Sequence, residues 1–386
     1  MEHRLNPNLI RAPRSAIRQF AQLASATPGC ISLTLGEPDF PTPEPVCRAA
    51  KEALDAGKTH YIPNNGSPDL RRDIAAFEEK AHGLHYTADE VIVTVGATEG
   101  LYAALCGILE PGDEVVVPTP AFVLYSCIIG LCGARCVELD TSGHDFQITQ
   151  AMLAGVVTER TKAIVLNSPN NPTGCILNED SLAAVAGFAR ERDLFVICDE
   201  VYRDICYVNS CPQFSTRYPE LKDRVIVVQS YSKPYAMTGW RVGYLLADAP
   251  VKAQLEKLHQ FDVVSTVSFL QDACRVALEQ DPSPMVEVYR RRRDYTLARL
   301  ADMGLEVTRP EGAFYVFPSI GKFGLGSAEF CTRMITEAGV AATPGFCFGS
   351  DRHVRISYCC DDTVLEEGMN RMARFVRGLE AKQSER

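Results

Sequence analysis

The chain has 386 residues, 46% of them hydrophobic and 23% charged. That balance excludes a disordered, collagen-like or fibrous chain, and the length suits two or three domains. Lys and Arg number 39 against 49 Asp and Glu, a net charge of −10. This is a poor footprint for nucleic acid, and no long basic run offsets it.

The opening stretch, MEHRLNPNLIRAPR, lacks the apolar core of a signal peptide. No later segment is long and apolar enough to span a bilayer, so a cytoplasmic location is expected. Residues 1–45 read as an N-terminal arm ending in the Pro-rich LGEPDFPTPEP. Beyond it, short apolar β-rich runs alternate with helical patterns. Strands are expected at Val91–Val95, Glu114–Val117, Ala163–Asn167, Leu194–Cys198, Val225–Gln229 and Gly243–Ala247. Helices are expected at Asp69–Ala81, Thr98–Leu109 and Glu179–Arg192. This alternation predicts an α/β fold with a mainly parallel sheet, and the near-continuous apolar strands predict helices on both of its faces.

Long helical patterns follow over Val251–Gln280 and Met285–Met303, with the densest basic stretch, Arg290–Arg293, in the second. That stretch reads as a solvated face or a packed interface. GAFYVFPSI and HVRISYC then read as strands, before a terminal helix from Thr363. The expected organisation is a large domain over 46–284 and a smaller α+β domain over 285–386, which the arm 1–45 joins.

Fifteen cysteines are an odd number in a long chain, and most sit in apolar runs, as Cys106 and Cys198 do. They read as small buried hydrophobes in a reducing compartment. Cys127, Cys132 and Cys136 form the one cluster to weigh for a metal. No fourth ligand follows at a usual spacing, so no metal is expected.

The chemistry gathers at the carboxyl ends of the strands, where open α/β sheets bind ligands. Gly96-Ala97-Thr98 opens a helix whose N–H groups and dipole suit an anion. Ser230, Ser232 and Arg241 add hydroxyls and a positive charge. Asp199 ends a buried strand and needs a cationic partner. Lys233 is an amine at the same rim, and Phe122 offers an aromatic face. A phosphate cup, an acid, an amine and a flat ring together describe a site for pyridoxal 5′-phosphate.

The segment SYSKPYAMTGWRVGY resembles the cofactor-lysine signature of class I aminotransferases of the aspartate-aminotransferase fold type. NSPNNPTG, DEVY and the SYC preceded by Arg355 are similar to three further motifs of that family. The resemblance runs from LGEPDF to RISY. It implies the fold type I architecture, a large domain with a sheet of seven-stranded type and a smaller domain.

The resemblance also implies roles. Lys233 would form the Schiff base with the cofactor and shuttle a proton. Asp199 would pair with the pyridine N–H. Tyr202 and Asn171 would hydrogen-bond the phenolic oxygen. Ser230, Ser232, Arg241 and the backbone of Ala97 and Thr98 would hold the phosphate, and Phe122 would stack on the ring. Arg355 would clamp the substrate α-carboxylate, with Gly36 and Asn171 beside it. Tyr61 would reach the phosphate of a neighbouring subunit, making the enzyme a homodimer with shared sites.

The implied activity is transfer of an amino group from an L-amino acid to a 2-oxo acid such as 2-oxoglutarate, in ping-pong fashion. Thr98 stands where some bacterial aspartate-specific relatives carry a lysine, so aromatic, aliphatic and broad donors stay open. Two other readings stay open. One is a carbon–sulfur β-lyase on the same fold, although AMTGWR looks more like the aminotransferases. The other is a cofactor-binding regulator domain, for which the roughly thirty residues ahead of LGEPDF leave no room for a DNA-binding unit.

Overall fold

The computed structural model describes residues 1, 4–12, 16–209 and 211–384. In chain order its strands begin with β1 (Ile31–Ser32), β2 (Val91–Thr94), β3 (Glu114–Thr119), β4 (Arg135–Asp140) and β5 (Thr161–Asn167). They continue with β6 (Phe195–Asp199), β7 (Val225–Ser230), β8 (Gly243–Ala247), β9 (Tyr315–Val316), β10 (Val340–Ala341), β11 (Thr343–Pro344) and β12 (Val354–Ser357). Seven of them form one sheet in the order β2-β8-β7-β6-β5-β3-β4.

Six of the seven run the same way, and β8 runs against both neighbours. Side chains alternate across the sheet. Ile226 and Val228 therefore pack on one face of the sheet with Ile92 and Ile197, while Val225 and Val227 pack on the other with Val93 and Val196. A strand buried on both faces has no polar position to spare until it ends. This is why polar side chains collect at the rim.

The helices on the sheet start and stop where local chemistry dictates. The helix Pro68–His82 is capped by Ser67, whose Oγ accepts from the N–H of Leu70 at 3.2 Å. It has Pro68 in its first turn and ends at Gly83 in the left-handed region, φ 69°. The helix Glu179–Glu191 begins at Asn178, whose side chain accepts from the N–H of Ser181 at 2.8 Å. Both caps satisfy amides that a helix leaves unpaired.

A second apolar cluster gathers Phe314, Tyr315, Phe330, Met369 and Val376 with Leu33. β1 pairs in parallel with β10, and β11-β12-β9 form a small antiparallel sheet. Tyr202, Ile205 and Tyr207, just beyond β6, belong to this second cluster. The chain leaving β6 thus crosses from one core to the other within three residues. Arg292 and Arg293 of the basic stretch are buried: Arg292 pairs with Asp39 and Asp362, and Arg293 stacks on the Tyr207 ring. Among the described residues no helix is long and apolar enough to cross a membrane.

Three sequence expectations need correction. β4 was missed because RCVELD is an edge strand, largely exposed, without an apolar run. The helix expected over Val251–Gln280 is two helices, Ala249–Val263 and Leu270–Ala277. They are separated at VSTV, where β-branched residues disfavour helix and Val264 takes φ 64°. Of GAFYVFPSI only Tyr315–Val316 is strand, following Ala313 at φ 55°.

The edge of the sheet is fastened by a buried carboxylate. Glu114 on β3 accepts from Arg135 at 2.6 Å, Arg160 at 2.7 Å and the Thr158 hydroxyl at 2.6 Å. The Thr158 hydrogen bond and the two guanidinium groups hold its carboxyl down at about 2. Its folded value lies below the unfolded one, so its stabilisation is present above pH ~4.3 and is lost as the pH falls towards 2. Glu114→Gln is expected to lower the melting midpoint at pH 7 by a few degrees. The gap to the parent should shrink as the pH is lowered, and a gap independent of pH would contradict this account.

Candidate active site

The reversal of β8 builds the rim. β2, β5, β6 and β7 bring their carboxyl ends to one edge, and the antiparallel β8 brings its amino end to the same edge, with Arg241 just ahead of Gly243. Register aligns the ends: Asn167 lies opposite Asp199, and Ser230 opposite Gly243. A cavity of about 550 Å³ opens there. Gly36, Ala97, Thr98, Phe122, Asn171, Asp199, Tyr202, Ser230, Ser232, Lys233, Arg241 and Arg355 all line it. Of the residues to which the resemblance gives a role, Tyr61 alone stands apart, 90% exposed and outside its own chain's cavity.

One end of the cavity is a helix start. The helix begins at Gly96, two residues earlier than the sequence suggested, so Ala97 and Thr98 lie in its first turn with N–H groups free of intrahelical partners. Gly96 has φ 71°, and a Cβ there would come within 2.6 Å of Arg241 Nη2. Arg241 itself sits at φ 55°, uncommon for a residue with a Cβ, and donates to the Thr238 carbonyl at 3.0 Å. Ser230 and Ser232 are buried beside it, with the Ser232 N–H donating to Ser230 Oγ at 3.0 Å.

The floor is Asp199. It is 4% exposed, accepts from the Tyr125 hydroxyl at 2.5 Å, and makes no ion pair among the described residues. Burial pushes its carboxyl up to about 6. The neighbouring Glu200 is not in the cavity lining; it pairs with the buried Arg203 at 3.0 Å, which reaches Glu78 at 2.8 Å. Of two adjacent acids, one is neutralised structurally and the other is left available.

Lys233 faces Asp199 across the cavity. Its Nζ donates to the Gly36 carbonyl at 2.6 Å and lies 5.9 Å from the Tyr202 ring. Burial lowers the amine to about 8, which raises the fraction of neutral nucleophile. The Tyr202 and Tyr315 hydroxyls are 2.9 Å apart, and burial pushes both phenols up, so both remain proton donors at neutral pH.

Arg355 closes the far side. It is 3% exposed, donates to Asn171 Oδ1 at 2.9 Å and the Thr34 carbonyl at 2.8 Å, and lies over the rings of Tyr315 and Phe348. Its Nε is buried with no hydrogen-bond partner, and no carboxylate pairs with it among the described residues. A Cβ on Gly36 would sit 2.5 Å from the Tyr315 hydroxyl, so this position requires glycine for close approach.

Sequence reasoning missed Tyr125, Tyr315, Thr34 and Asn167. Asn167 had a signal: it ends an apolar strand, and its Oδ1 accepts from the N–H of Asn171 at 2.9 Å while its Nδ2 donates to the Asp199 carbonyl. Tyr125 and Tyr315 sit in apolar runs and carry no such signal. Of the cysteine cluster, Cys132 meets Cys106, with sulfurs 3.0 Å apart.

A model of the family described as "Aminotransferase class I and II" matches residues 28–372. The chain belongs to the class I and II aminotransferases. It is 40% identical over 382 residues to a probable N-acetyl-LL-diaminopimelate aminotransferase of Bacillus subtilis, covering 97% of this chain and 96% of that one. It is also 40% identical over 372 residues to an aspartate aminotransferase of Pyrococcus abyssi, covering 94% and 96%. Among solved structures, the Thermus thermophilus aspartate aminotransferase with maleate superposes with a TM-score of 0.91 at 34% identity, covering 96% and 99%. The fold is that of the type I aspartate aminotransferases.

Aminotransferases of this class depend on pyridoxal 5′-phosphate, and the cavity fits it. A buried carboxylate lacks a cation, a helix N-terminus and Arg241 lack an anion, and an amine with a lowered pKa stands between them. In the protein without cofactor, Asp199 is a cost. Its folded pKa lies above the unfolded value, so relative to a neutral side chain it destabilises above pH ~6 and not below pH ~4. Apoprotein carrying Asp199→Asn is therefore expected to melt higher than its parent at pH 8 and equally at pH 4. Calorimetry checks this, and a lower midpoint at pH 8 would contradict it.

Proposed function

We propose that this aminotransferase moves the amino group of an L-amino acid to a 2-oxo acid, 2-oxoglutarate being the acceptor, with donor and acceptor using the one cavity in turn. When bound, pyridoxal 5′-phosphate supplies an aldehyde that condenses with amines and a ring that withdraws electrons from the substrate Cα. The observation that carries the assignment of residues is the pair of buried charges without an ion-pair partner, Asp199 and Arg355, in the cavity that Lys233 also lines.

Asp199, oriented by Tyr125, holds the proton on the ring nitrogen. Ala97, Thr98, Ser230, Ser232 and Arg241 bind the phosphate, and Phe122 covers one face of the ring. Tyr202 and Asn171 donate to the phenolic oxygen. Arg355 binds the α-carboxylate through two parallel N–H groups, and the orphaned Nε gives it a donor to spend. Lys233 provides the amine that anchors the cofactor and carries the proton to and from the substrate Cα. Gly36 lets the backbone approach the same carboxylate.

Relatives named for aspartate and for N-acetyl-LL-diaminopimelate share this chain's length. A site that recognises the amino-acid head group through Arg355 serves donors with very different side chains. The exposed Tyr61 supports the homodimer: a second copy that brings it to the neighbour's phosphate cup would bury it. The free cysteines suit a reducing, cytoplasmic setting.

Addition of a suitable amino acid to the purified holoenzyme is expected to change its absorption spectrum, and 2-oxoglutarate to reverse the change. Release of pyruvate and ammonia from cystathionine without an acceptor acid would contradict the transaminase reading. Arg355→Lys is expected to raise KM for amino acid by roughly 10–100-fold, since a point charge replaces a planar two-donor fork. An unchanged KM for both donor and acceptor would remove Arg355 from the carboxylate site.

A further inference from the structure

Behind the phosphate cup lies a buried acid–base pair that the reaction scheme does not use. His259, on the helix Ala249–Val263, is 0% exposed. Its Nδ1 lies 3.1 Å from Glu99 Oε1 and its Nε2 lies 2.8 Å from the Asn64 carbonyl oxygen. Neither partner has a proton to give: a carbonyl is an acceptor, and so is a carboxylate. The other carboxylate oxygen, Glu99 Oε2, accepts from the Val95 N–H at 3.1 Å, so both oxygens of Glu99 are placed as acceptors. A ring with an acceptor at each nitrogen has to carry two protons.

We propose that His259 is a positioning residue, a buried imidazolium that neutralises Glu99 and so fixes the first turn of the phosphate-binding helix for an anion. The proposal rests on the assignment of that helix start to the cofactor phosphate. Glu99 sits within the first turn of the helix that begins at Gly96, and its carboxylate folds back onto Val95. An uncompensated carboxylate there would oppose a phosphate dianion at the same N-terminus. Paired with an imidazolium, the two groups sum to no net charge, and the helix dipole is left to the phosphate. The same ring ties down Asn64, whose neighbour Asn65 accepts from the N–H of Val93 on β2. One side chain therefore fastens the helix start, the strand before it and the segment that follows Tyr61.

Other charged groups lie around His259. On its own helix, Glu256 pairs with Lys252 at 2.5 Å. Asp262, on the same helix, lies near Tyr102 and Cys106 of the facing helix. β2 brings no ionisable side chain, and β8 brings only Tyr244, which donates to Glu78. The turn Ala88–Glu90 brings Asp89 and Glu90, paired with Arg71 and Lys222. Glu99 is the partner that decides the state of the ring. Burial opposes the charge, while the Glu99 hydrogen bond and its charge favour it, and the balance raises the imidazole pKa above its ordinary value near 6.5. With a folded pKa above the unfolded one, the contribution is complete at low pH and is lost as the pH rises through the folded value.

The test uses holoenzyme labelled with ¹⁵N-histidine, His259 being assigned from the signal that His259→Gln removes. Both ring nitrogens of His259 are expected to stay protonated to a higher pH than those of an ordinary imidazole; a ring that loses a proton at or below the ordinary imidazole value overturns the proposal. Release of pyridoxal 5′-phosphate and of pyridoxal is then followed from pH 6.5 to 9.5. In the parent, release of the phosphorylated form should quicken as His259 loses its proton. His259→Gln should release it roughly tenfold faster at pH 7, with little dependence on pH. Glu99→Gln should hold it as the parent does at low pH, and without the pH step, because its amide can accept from Val95 and donate to a neutral ring. If the parent retains pyridoxal as well as it retains the phosphorylated form, the phosphate-cup reading falls. If it prefers the phosphorylated form but Glu99→Gln keeps the pH step, the role given to His259 falls. Should His259→Gln fail to fold, the ring signal that Glu99→Gln shifts serves for the assignment, and that variant's release profile with the titration of the signal in the parent decides the matter.

Discussion

A carboxylate buried without a cation is the constraint on which this site depends. Asp199 is held at the end of a strand sealed on both faces, with a tyrosine hydroxyl as its strongest partner. Such a group is expensive unless something positively charged arrives. Across the cavity Arg355 has the complementary deficiency, a buried guanidinium with a donor and no anion. Folding energy from two apolar cores holds both charges out of water. A bound molecule that supplies a ring N–H at one side and a carboxylate at the other relieves both at once.

Chain direction turns this constraint into a place. Parallel strands end together, so their terminal polar residues share one rim, and the single reversed strand delivers Arg241 to that rim from the opposite direction. The crossing of the chain just after Asp199 adds the second half. Asp199 belongs to the sheet, while Tyr202, three residues on, packs with Phe314 and Tyr315 in the second core. Lys233 and Arg355 therefore face each other across the seam of two independently packed clusters, and the distance between them is set by how those clusters meet.

Much of this was legible in the sequence, for identifiable reasons. Val225–Gln229 and Gly243–Ala247 announce themselves because strands buried on both faces must be apolar throughout. The residues just beyond them stand out because they are the first ones free to be polar. What failed to show was whatever depends on a partner far along the chain or lacks an apolar run. The Tyr125 hydroxyl meets a carboxylate 74 residues away, yet its own neighbourhood is an ordinary apolar helix. β4 lies at the sheet edge and is half polar. The break at Val264 sits within a continuous helical pattern, and only the accumulation of β-branched residues hints at it. His259 reads as one more polar position on an amphipathic helix until its two acceptors, 160 and 195 residues distant, are seen together.

Covalent attachment at one amine is the claim on which the remaining roles hang. Borohydride reduction of the coloured holoenzyme, followed by digestion and mass mapping, locates the attachment directly. The account predicts a single modified peptide carrying the cofactor on Lys233. A coloured holoenzyme whose reduced cofactor maps to any other lysine, with Lys233 unmodified, would contradict it.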